Sequence, residues 1–264
     1  RFERVNNVLV KSTAGHQQSL GHLTLKVEND RVVDFKEDLI WLWADVPINP
    51  SKDITALVER VERMIGKEYR KRIGFATSDY LRKNDQVETE LGDWITDAMR
   101  WKTGSQIAFH NTGGIRAGLL EGVITKGDIF KISPFNNTLY VFYINGRQIK
   151  DILEYDVEKG YDRLQVSGLR YVHYSKSDKE YGARISRVEV NGDLVVEEGK
   201  LLLPDKFYRA VTNNYVIGQA KEKYFGFAVK KPFHTYYSIM TTLIDWLKKN
   251  KYLSYQVEGR IQQK

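Results

Sequence analysis

The chain contains no cysteine. That excludes disulfide frameworks and thiolate metal sites, and it leaves the redox compartment unread. Only five histidines occur, His16, His22, His110, His173 and His234. None stands in an HxH, HxxxH or His–Asp spacing that would set up a metal site. No apolar run is long enough to cross a bilayer; the longest, around Leu39-Ile40-Trp41-Leu42-Trp43, is far too short. Low-complexity tracts, heptads and internal repeats are also missing. The chain opens Arg1-Phe2-Glu3 with neither an initiator Met nor a signal-like apolar core. The expectation is that processing or truncation removed a preceding segment.

What is there fits a globular protein of 264 residues, 42% hydrophobic and 28% charged, long enough for one large or two modest domains. The net charge is +7 and the pI about 9.2, a balance that attracts anions. The Lys and Arg residues are nevertheless scattered. Their one dense cluster, Lys67, Arg70, Lys71 and Arg72, falls at a predicted helix end, where cations complement the helix dipole and face solvent. A dedicated nucleic-acid surface is therefore not expected.

Three segments emerge along the chain. In residues 1–50, Val8-Leu9-Val10, Leu23–Val27 and Arg31–Phe35 read as strands, with Asn29-Asp30 as a turn. This is too little sheet for a domain and looks like the end of one. In residues 51–73, Ser51-Lys52-Asp53 starts a connecting helix whose apolar positions Ile54, Leu57, Val58, Val61, Met64 and Ile65 share one face. Residues 74–264 mix helices and strands without strict alternation, so an α+β domain is predicted. Its elements include a helix from Glu90 to Trp101 capped at Thr89 or Glu88, a strand Ile107–Phe109, and a short strand Ile129–Ile132. A strand Thr138–Ile144, a turn at Asn145-Gly146 and a helix Arg147–Tyr155 follow. Strands are then expected at Leu169–Tyr174, Arg184–Val190, Leu194–Val196 and Tyr208–Thr212, with Asn191-Gly192 as a hairpin turn. A helix Thr235–Lys249 and a strand Tyr255–Ile261 close the chain.

The segment with most chemistry is Asn111-Thr112-Gly113-Gly114-Ile115-Arg116. Paired glycines after a strand let the backbone turn and approach a ligand closely. Asn supplies a donor and an acceptor, and Arg supplies a planar charged fork. Alone, this pattern is equally an ordinary tight turn with a surface Arg.

The motifs in order are Glu88-Thr89-Glu90-Leu91-Gly92-Asp93, Thr96-Asp97-Ala98-Met99, Asn111–Arg116, Pro134-Phe135, Thr212-Asn213-Asn214-Tyr215 and Val257-Glu258-Gly259-Arg260-Ile261. This series resembles the C-terminal domain of the 5'-nucleotidase family, over about residues 74–264. Residues 5–50, with Ala14-Gly15 and Leu20-Gly21, resemble the last strands of that family's N-terminal metallophosphatase domain.

The resemblance implies a nucleotide phosphohydrolase. Its N-terminal half would hold two divalent metal ions and the catalytic His–Asp pair, and its C-terminal half would bind the nucleoside. No cofactor is expected in this chain, whose partners would be a nucleotide or nucleoside and its own metallophosphatase domain. On its own the chain is expected to bind without cleaving. Periplasmic or extracellular localisation follows from the family alone. Asn111, Gly113, Gly114 and Arg116 match substrate-binding positions, and Phe135 resembles the first ring of a base clamp. Two rings would hold a base by stacking, at roughly 1–3 kcal/mol per base.

The second ring is open between Phe225 and Phe227, with a lean to Phe227 because it follows a glycine. The family's Gly-Gly-Asp-Gly-aromatic loop is replaced here by Gly218–Phe227. The ribose-binding acid has no match in Ala228-Val229-Lys230-Lys231, and Asp85-Gln86-Val87 stands where the family carries an Arg. Plainer readings stand beside these: Phe135, Phe225 or Phe227 as core, Asp93 and Asp97 as solvated or capping residues, Glu88 as a support for the glycine loop, and His110 as a residue behind the site or on the surface rather than a ligand. The departures also leave room for a non-catalytic nucleotide-binding module, or for a relative acting on cyclic nucleotides or sulfur compounds.

Overall fold

The computed structural model describes residues 2–6, 8–13, 18–42, 49–82 and 87–264. Ala14-Gly15, His16 and Asp85-Gln86, which figured in the sequence reading, lie outside the described residues. The chain divides into two compact units, Arg1–Glu62 and Arg63–Lys264.

In the first unit, β1 (Phe2–Val5) and β2 (Val8–Lys11) form one antiparallel pair, and β3 (Ser19–Glu28) and β4 (Arg31–Trp41) a longer one. Asn29 and Asp30 join β3 to β4 with φ of +49° and +59°. Both central residues therefore sit in the left-handed region that a type I′ hairpin turn requires and that Asn and Asp tolerate. Helix α1 (Lys52–Tyr69) carries the division between the units. Ile54, Leu57, Val58 and Val61 line one face of it and stay exposed.

In the second unit the chain runs β5 (Arg72–Ala76), α2 (Glu90–Thr103), β6 (Ile107–Asn111), β7 (Gly122–Thr125), α3 (Lys126–Ile132), β8 (Thr138–Asn145) and α4 (Gly146–Lys159). It continues β9 (Leu164–Ser167), β10 (Leu169–His173), β11 (Ile185–Val190), β12 (Asp193–Glu197), β13 (Lys200–Leu201) and β14 (Phe207–Asn213). The last elements are α5 (Asn214–Gly218), β15 (Phe233–Ser238), α6 (Ile239–Asn250), β16 (Tyr252–Leu253) and β17 (Ile261–Gln263).

Three sheets result, in the orders β15-β8-β14-β6-β9, β13-β12-β11-β10-β17 and β16-β5-β7. The first divides the core in two, because successive side chains of a strand face opposite ways. Ala108, Leu139, Val141 and Val211 face a cluster built on Trp94, Ile95 and Met99 of α2 and Leu243 and Leu247 of α6. On the opposite face Phe109, Phe142, Ile144 and Ala210 pack in one cluster with Ile149 and Leu153 of α4 and Tyr171 and Val188 of the second sheet. This is the mixed α+β architecture that the pattern predicts.

Four local expectations are corrected. Ile129–Ile132 belongs to α3: Thr125 Oγ1 accepts from Asp128 N while the Asp128 carboxylate accepts from Thr125 N, and this capping box starts a helix where the apolar pair alone reads as strand. Asn145-Gly146 is the start of α4, with a reciprocal box between Asn145 and Gln148. The helix predicted from Thr235 begins at Ile239 behind the Ser238 cap, and Phe233–Ser238 pairs with β8 as an edge strand. The closing strand is short, Ile261–Gln263, and runs parallel to β10.

The Arg260 segment is fastened by carboxylates read in sequence as solvated or otherwise engaged. Glu88 accepts from the backbone N–H of Glu258 at 3.0 Å and of Ile261 at 2.9 Å, so it holds the C-terminal segment rather than the glycine loop. The Arg260 guanidinium donates to both oxygens of Asp97 at 2.9 Å, in fork-to-fork geometry. Asp93 is 1% exposed beside the same guanidinium, at 3.6 Å.

A candidate functional site at one end of the central sheet

Strand order explains why distant motifs meet. β6 and β14 are parallel, so their last residues, Asn111 and Asn213, end at the same edge of the sheet. β8 and β9 are antiparallel to these strands and enter at that edge, so the loops before them, carrying Phe135 and Asp162, arrive there too. A hydrogen bond from Thr138 N to Asn214 Oδ1, 3.0 Å, ties the loop before β8 to the start of α5.

The loops enclose a cavity of about 390 Å³, within the range of small-molecule sites. Asn111, Gly113, Gly114 and Arg116 line one part of it, and Phe135, Asn137, Asp162 and Tyr215 the rest. Phe135 and Tyr215 are 45% and 42% exposed, so both rings are open to a ligand. The Arg116 guanidinium lies 5.8 Å from the centroid of the Phe135 ring, and its Nη1 donates to the Gly113 carbonyl at 3.3 Å.

Beneath these residues is a buried polar network. Asn213 accepts at Oδ1 from Val216 N, 2.8 Å, and caps α5. Its amide donates to Asn111 Oδ1 at 3.3 Å and to His110 Nδ1 at 3.1 Å. The accepting Nδ1 places the His110 proton on Nε2. His110 is 1% exposed, and burial pushes its pKa down to about 4 against a weaker opposing pull from Asp162, so the ring is neutral at physiological pH. On sequence His110 reads as a residue behind the site or on the surface rather than a ligand, and its burial excludes the surface.

Neither glycine of the turn has a positive φ. Their role is close approach. A Cβ at Gly113 would lie 2.7 Å from Asp162 Oδ1, and one at Gly114 would lie 2.8 Å from His110 Nε2.

Asp162 was not singled out in sequence. Its φ is +47°, and its Oδ1 accepts from Gly113 N at 2.6 Å while Oδ2 accepts from Tyr224 Oη at 2.5 Å. The only sequence signal is an acid two positions after Gly160, which ends α4 in the left-handed conformation. Asn137 and Tyr215 were also passed over, although Tyr215 stands inside the quoted Thr212–Tyr215 motif.

The two proposed second rings are elsewhere. Phe225 is 1% exposed and packs against Phe109 at 5.7 Å and Phe142 at 5.9 Å between centroids, inside the core. Phe227 packs against Phe225 at 6.1 Å and is half-buried. Neither lines the cavity. The cause is local: Gly218–Phe227 forms the end of α5 and a π turn, Ala220–Tyr224, which directs Phe225 inward onto the sheet.

A larger and more open cavity, about 560 Å³, lies against Arg100, Trp101, Gly168 and Arg170, away from the glycine turn. Size does not decide between the two. Its three arginines are matched by Asp97, Glu189 and Glu258, and Asp97 is already engaged with Arg260. The smaller cavity brings two accessible rings beside an exposed Arg, and we take it as the candidate site.

Residues 71–228 match the family model described as "5'-nucleotidase, C-terminal domain". The chain belongs to this family. The 5'-nucleotidase domain is also recognisable by similarity to individual proteins. The chain is 31% identical over 234 residues to the trifunctional nucleotide phosphoesterase protein YfkN of Bacillus subtilis, covering 82% of this chain and 16% of YfkN. It is 30% identical over 241 residues to the cell wall protein Lmo0130 of Listeria monocytogenes, covering 81% of this chain and 29% of that protein. The crystal structure of a 5'-nucleotidase precursor from Thermus thermophilus superposes with a TM-score of 0.73 at 29% identity, over 97% of this chain and 52% of that one. The chain thus spans a minor part of these curated relatives and about half of the Thermus protein.

Among the described residues no three His, Asp or Glu converge as metal ligands. The described residues therefore do not fit a dinuclear metal centre. No helix among the described residues is long and apolar enough to cross a membrane.

Proposed function

We propose that this chain is the nucleoside-recognition part of a nucleotide phosphohydrolase, with the base held between Phe135 and Tyr215. The observation that carries the reading is the opening of both rings into one cavity beside Arg116. Flat aromatic faces suit a purine or pyrimidine with little dependence on its identity. Arg116 supplies a permanent cation with donors arranged for phosphoryl oxygens. Asn111 and Asn137 add donors and acceptors for the edges of the base or sugar. Tyr215 takes the place considered for Phe225 or Phe227.

Hydrolysis itself belongs, in this reading, to a metal-bearing domain outside this chain. The names of YfkN and the Thermus protein support a phosphoesterase as parent. The ribbon β3–β4 supports it as well. A two-stranded ribbon is marginal alone, and Leu23, Leu25 and Val27 are left exposed on one of its faces, as in a fragment of a larger sheet. The likeness to a cell wall protein favours a cell-surface or secreted parent.

The test is calorimetric titration of adenosine and AMP into the 264-residue chain and its Phe135→Ala variant. The proposal expects saturable binding by the parent chain and a loss on the order of ten- to a hundredfold in the variant, the equivalent of one stacked base. Equal affinity in both would remove the clamp.

A further inference from the structure

We infer that the larger cavity is a second binding site, which takes a small organic anion by its carboxylate or phosphate group on Arg100. It lies at the other end of the central sheet: Ser167 pairs with Ala108 near the start of β6, whereas the glycine turn follows the last residue of that strand. The inference does not depend on the nucleoside reading.

The charges of this cavity balance in number but do not pair off. Asp97 is committed to Arg260, whose guanidinium donates to both its oxygens at 2.9 Å, and Ser167 and Tyr255 donate to it as well. Glu258 lies 3.2 Å from Arg260 Nε and 3.5 Å from Arg170 Nη2. Glu189 stands opposite Arg170 in the β10–β11 register and 3.6 Å from Arg187. Arg100 is left over. Its hydrogen-bond acceptors among the described residues are neutral: Nη1 donates to Ser167 Oγ at 3.0 Å and Nη2 to Asn191 Oδ1 at 3.4 Å. Its Nε is buried and has no acceptor among the described residues.

The guanidinium is held in place all the same. It lies against Gly168, where an added Cβ would stand 2.8 Å from both Cζ and Nε. Gly168 has φ of +76°, so glycine serves both the turn and the close approach. Burial pulls the Arg100 pKa below the ordinary arginine value, with Asp97 opposing and Arg260 adding to the pull, yet an arginine stays charged in a protein. A half-buried cation without a counter-ion carries a desolvation cost that an incoming anion offsets. Its planar fork suits the paired oxygens of a carboxylate or a phosphate. The cavity, about 560 Å³, is far larger than an inorganic ion, and Trp101, 39% exposed, lines it beside the cation. An anionic group joined to a flat apolar body uses both features. Adenosine, which carries no anion, is not a ligand of this kind.

Benzoate, phenyl phosphate and benzyl alcohol would each be titrated at constant ionic strength into the isotopically labelled 264-residue chain and its Arg100→Gln variant, followed by nuclear magnetic resonance. The first two carry the two anionic groups on one ring, and the third carries the ring without charge. In the parent chain the anions are expected to shift the Arg100 Nε–H and the backbone amides of Gly168, Asn191 and Gly192. Those shifts should saturate with a Kd on the order of 1 mM, as two charge-assisted bonds would give. Benzyl alcohol should leave the same resonances in place. A response to benzoate alone would assign the site to carboxylates, and one to phenyl phosphate alone would assign it to phosphates. Arg100→Gln, checked for folding by circular dichroism, should weaken the anions by about tenfold or more. If that variant does not fold, the Arg100 Nε–H of the parent chain decides alone. The inference is overturned if neither anion moves these resonances, or if benzyl alcohol moves them as strongly. It is also overturned if folded Arg100→Gln binds as tightly as the parent chain, or if only the amides of Gly113 and Gly114 respond, which would put the anion on Arg116.

Discussion

The Arg116 guanidinium stands over the ring of Phe135, 5.8 Å from its centroid, so the cation and the aromatic face work at one place. They should nonetheless separate by ligand. Arg116→Ala should weaken AMP by on the order of tenfold or more relative to adenosine, because only AMP carries the anion a charged hydrogen bond would hold. Phe135→Ala should weaken both ligands alike. Calorimetry of the two variants against the two ligands reads this directly, and an Arg116→Ala chain that loses adenosine and AMP equally would place the phosphate elsewhere.

Tyr215 and Phe225 should part company in the same way. Tyr215→Ala removes a half-exposed ring and should cost nucleoside affinity with little change in the unfolding midpoint. Phe225→Ala removes a ring packed on Phe109 and Phe142 and should cost about 3–5 kcal/mol of stability through lost burial and a cavity. Urea unfolding of both variants, alongside ligand titration, distinguishes clamp from core. The reverse pattern would restore Phe225 to the site.

Two buried groups give stability opposite pH dependences. His110 has its pKa pushed down to about 4 by burial. Between that value and about 6.5, the unfolded chain binds the proton more strongly, so stability falls as pH drops through this window. Asp93 has its pKa pushed up to about 8, chiefly by burial, with Glu88 and Asp97 adding to it and Arg260 opposing. The folded chain therefore holds that proton from about pH 4 upward, and its contribution is lost as pH rises toward 8. The two effects offset each other below about pH 6.5 and leave Asp93 alone above it. Urea midpoints of the parent chain should fall between about pH 6.5 and 8, and Asp93→Asn should flatten that fall; an unchanged slope in the variant would assign it to another group.

Gly146 tests the packing at the start of α4. Glycine to alanine in a helix normally gains up to about 1 kcal/mol. Here a Cβ would meet the Leu203 carbonyl oxygen at 2.0 Å, a backbone atom with little room to yield. Gly146→Ala should therefore destabilise the chain by about 1–3 kcal/mol, the usual cost of overpacking. A raised melting temperature would contradict the packing.

Much of the fold was legible because local signals and tertiary structure agree. Thr89 caps α2 by accepting from Gly92 N, Asn191-Gly192 turns between β11 and β12, and the apolar run within Thr138–Asn145 marks a strand with core residues on both faces. The errors have physical causes. Ile129 and Ile132 are strand-like in type, and the capping box ahead of them decides otherwise. Asp93 and Asp97 lie on a helix, where acids normally face solvent; here Asp93 is buried beside Arg260 and the half-buried Asp97 pairs with it, far along the chain.

For the candidate site, Asn111 and Arg116 flank a glycine turn that is visible in sequence, whereas a role for Phe135 comes only with the family resemblance; with Gly113 and Gly114 they line one cavity. Tyr215 and Asp162 could not be chosen that way. They join the cavity only through the pairing of β14 and β9 with β6, which no local pattern reveals. Phe225 and Phe227 both stand near the place where the family carries an aromatic, and nothing local in the sequence shows that Phe225 turns onto the sheet with Phe227 packed against it.

The central claim is that ligands enter between Phe135 and Tyr215, and the most direct test is a nuclear magnetic resonance titration of the chain with adenosine. The account predicts saturable shifts of the backbone amides of Gly113, Gly114, Phe135 and Tyr215. Those of Gly168, Asn191 and Gly192, around the larger cavity, should remain in place. Shifts confined to the second group, or none in either, would contradict it.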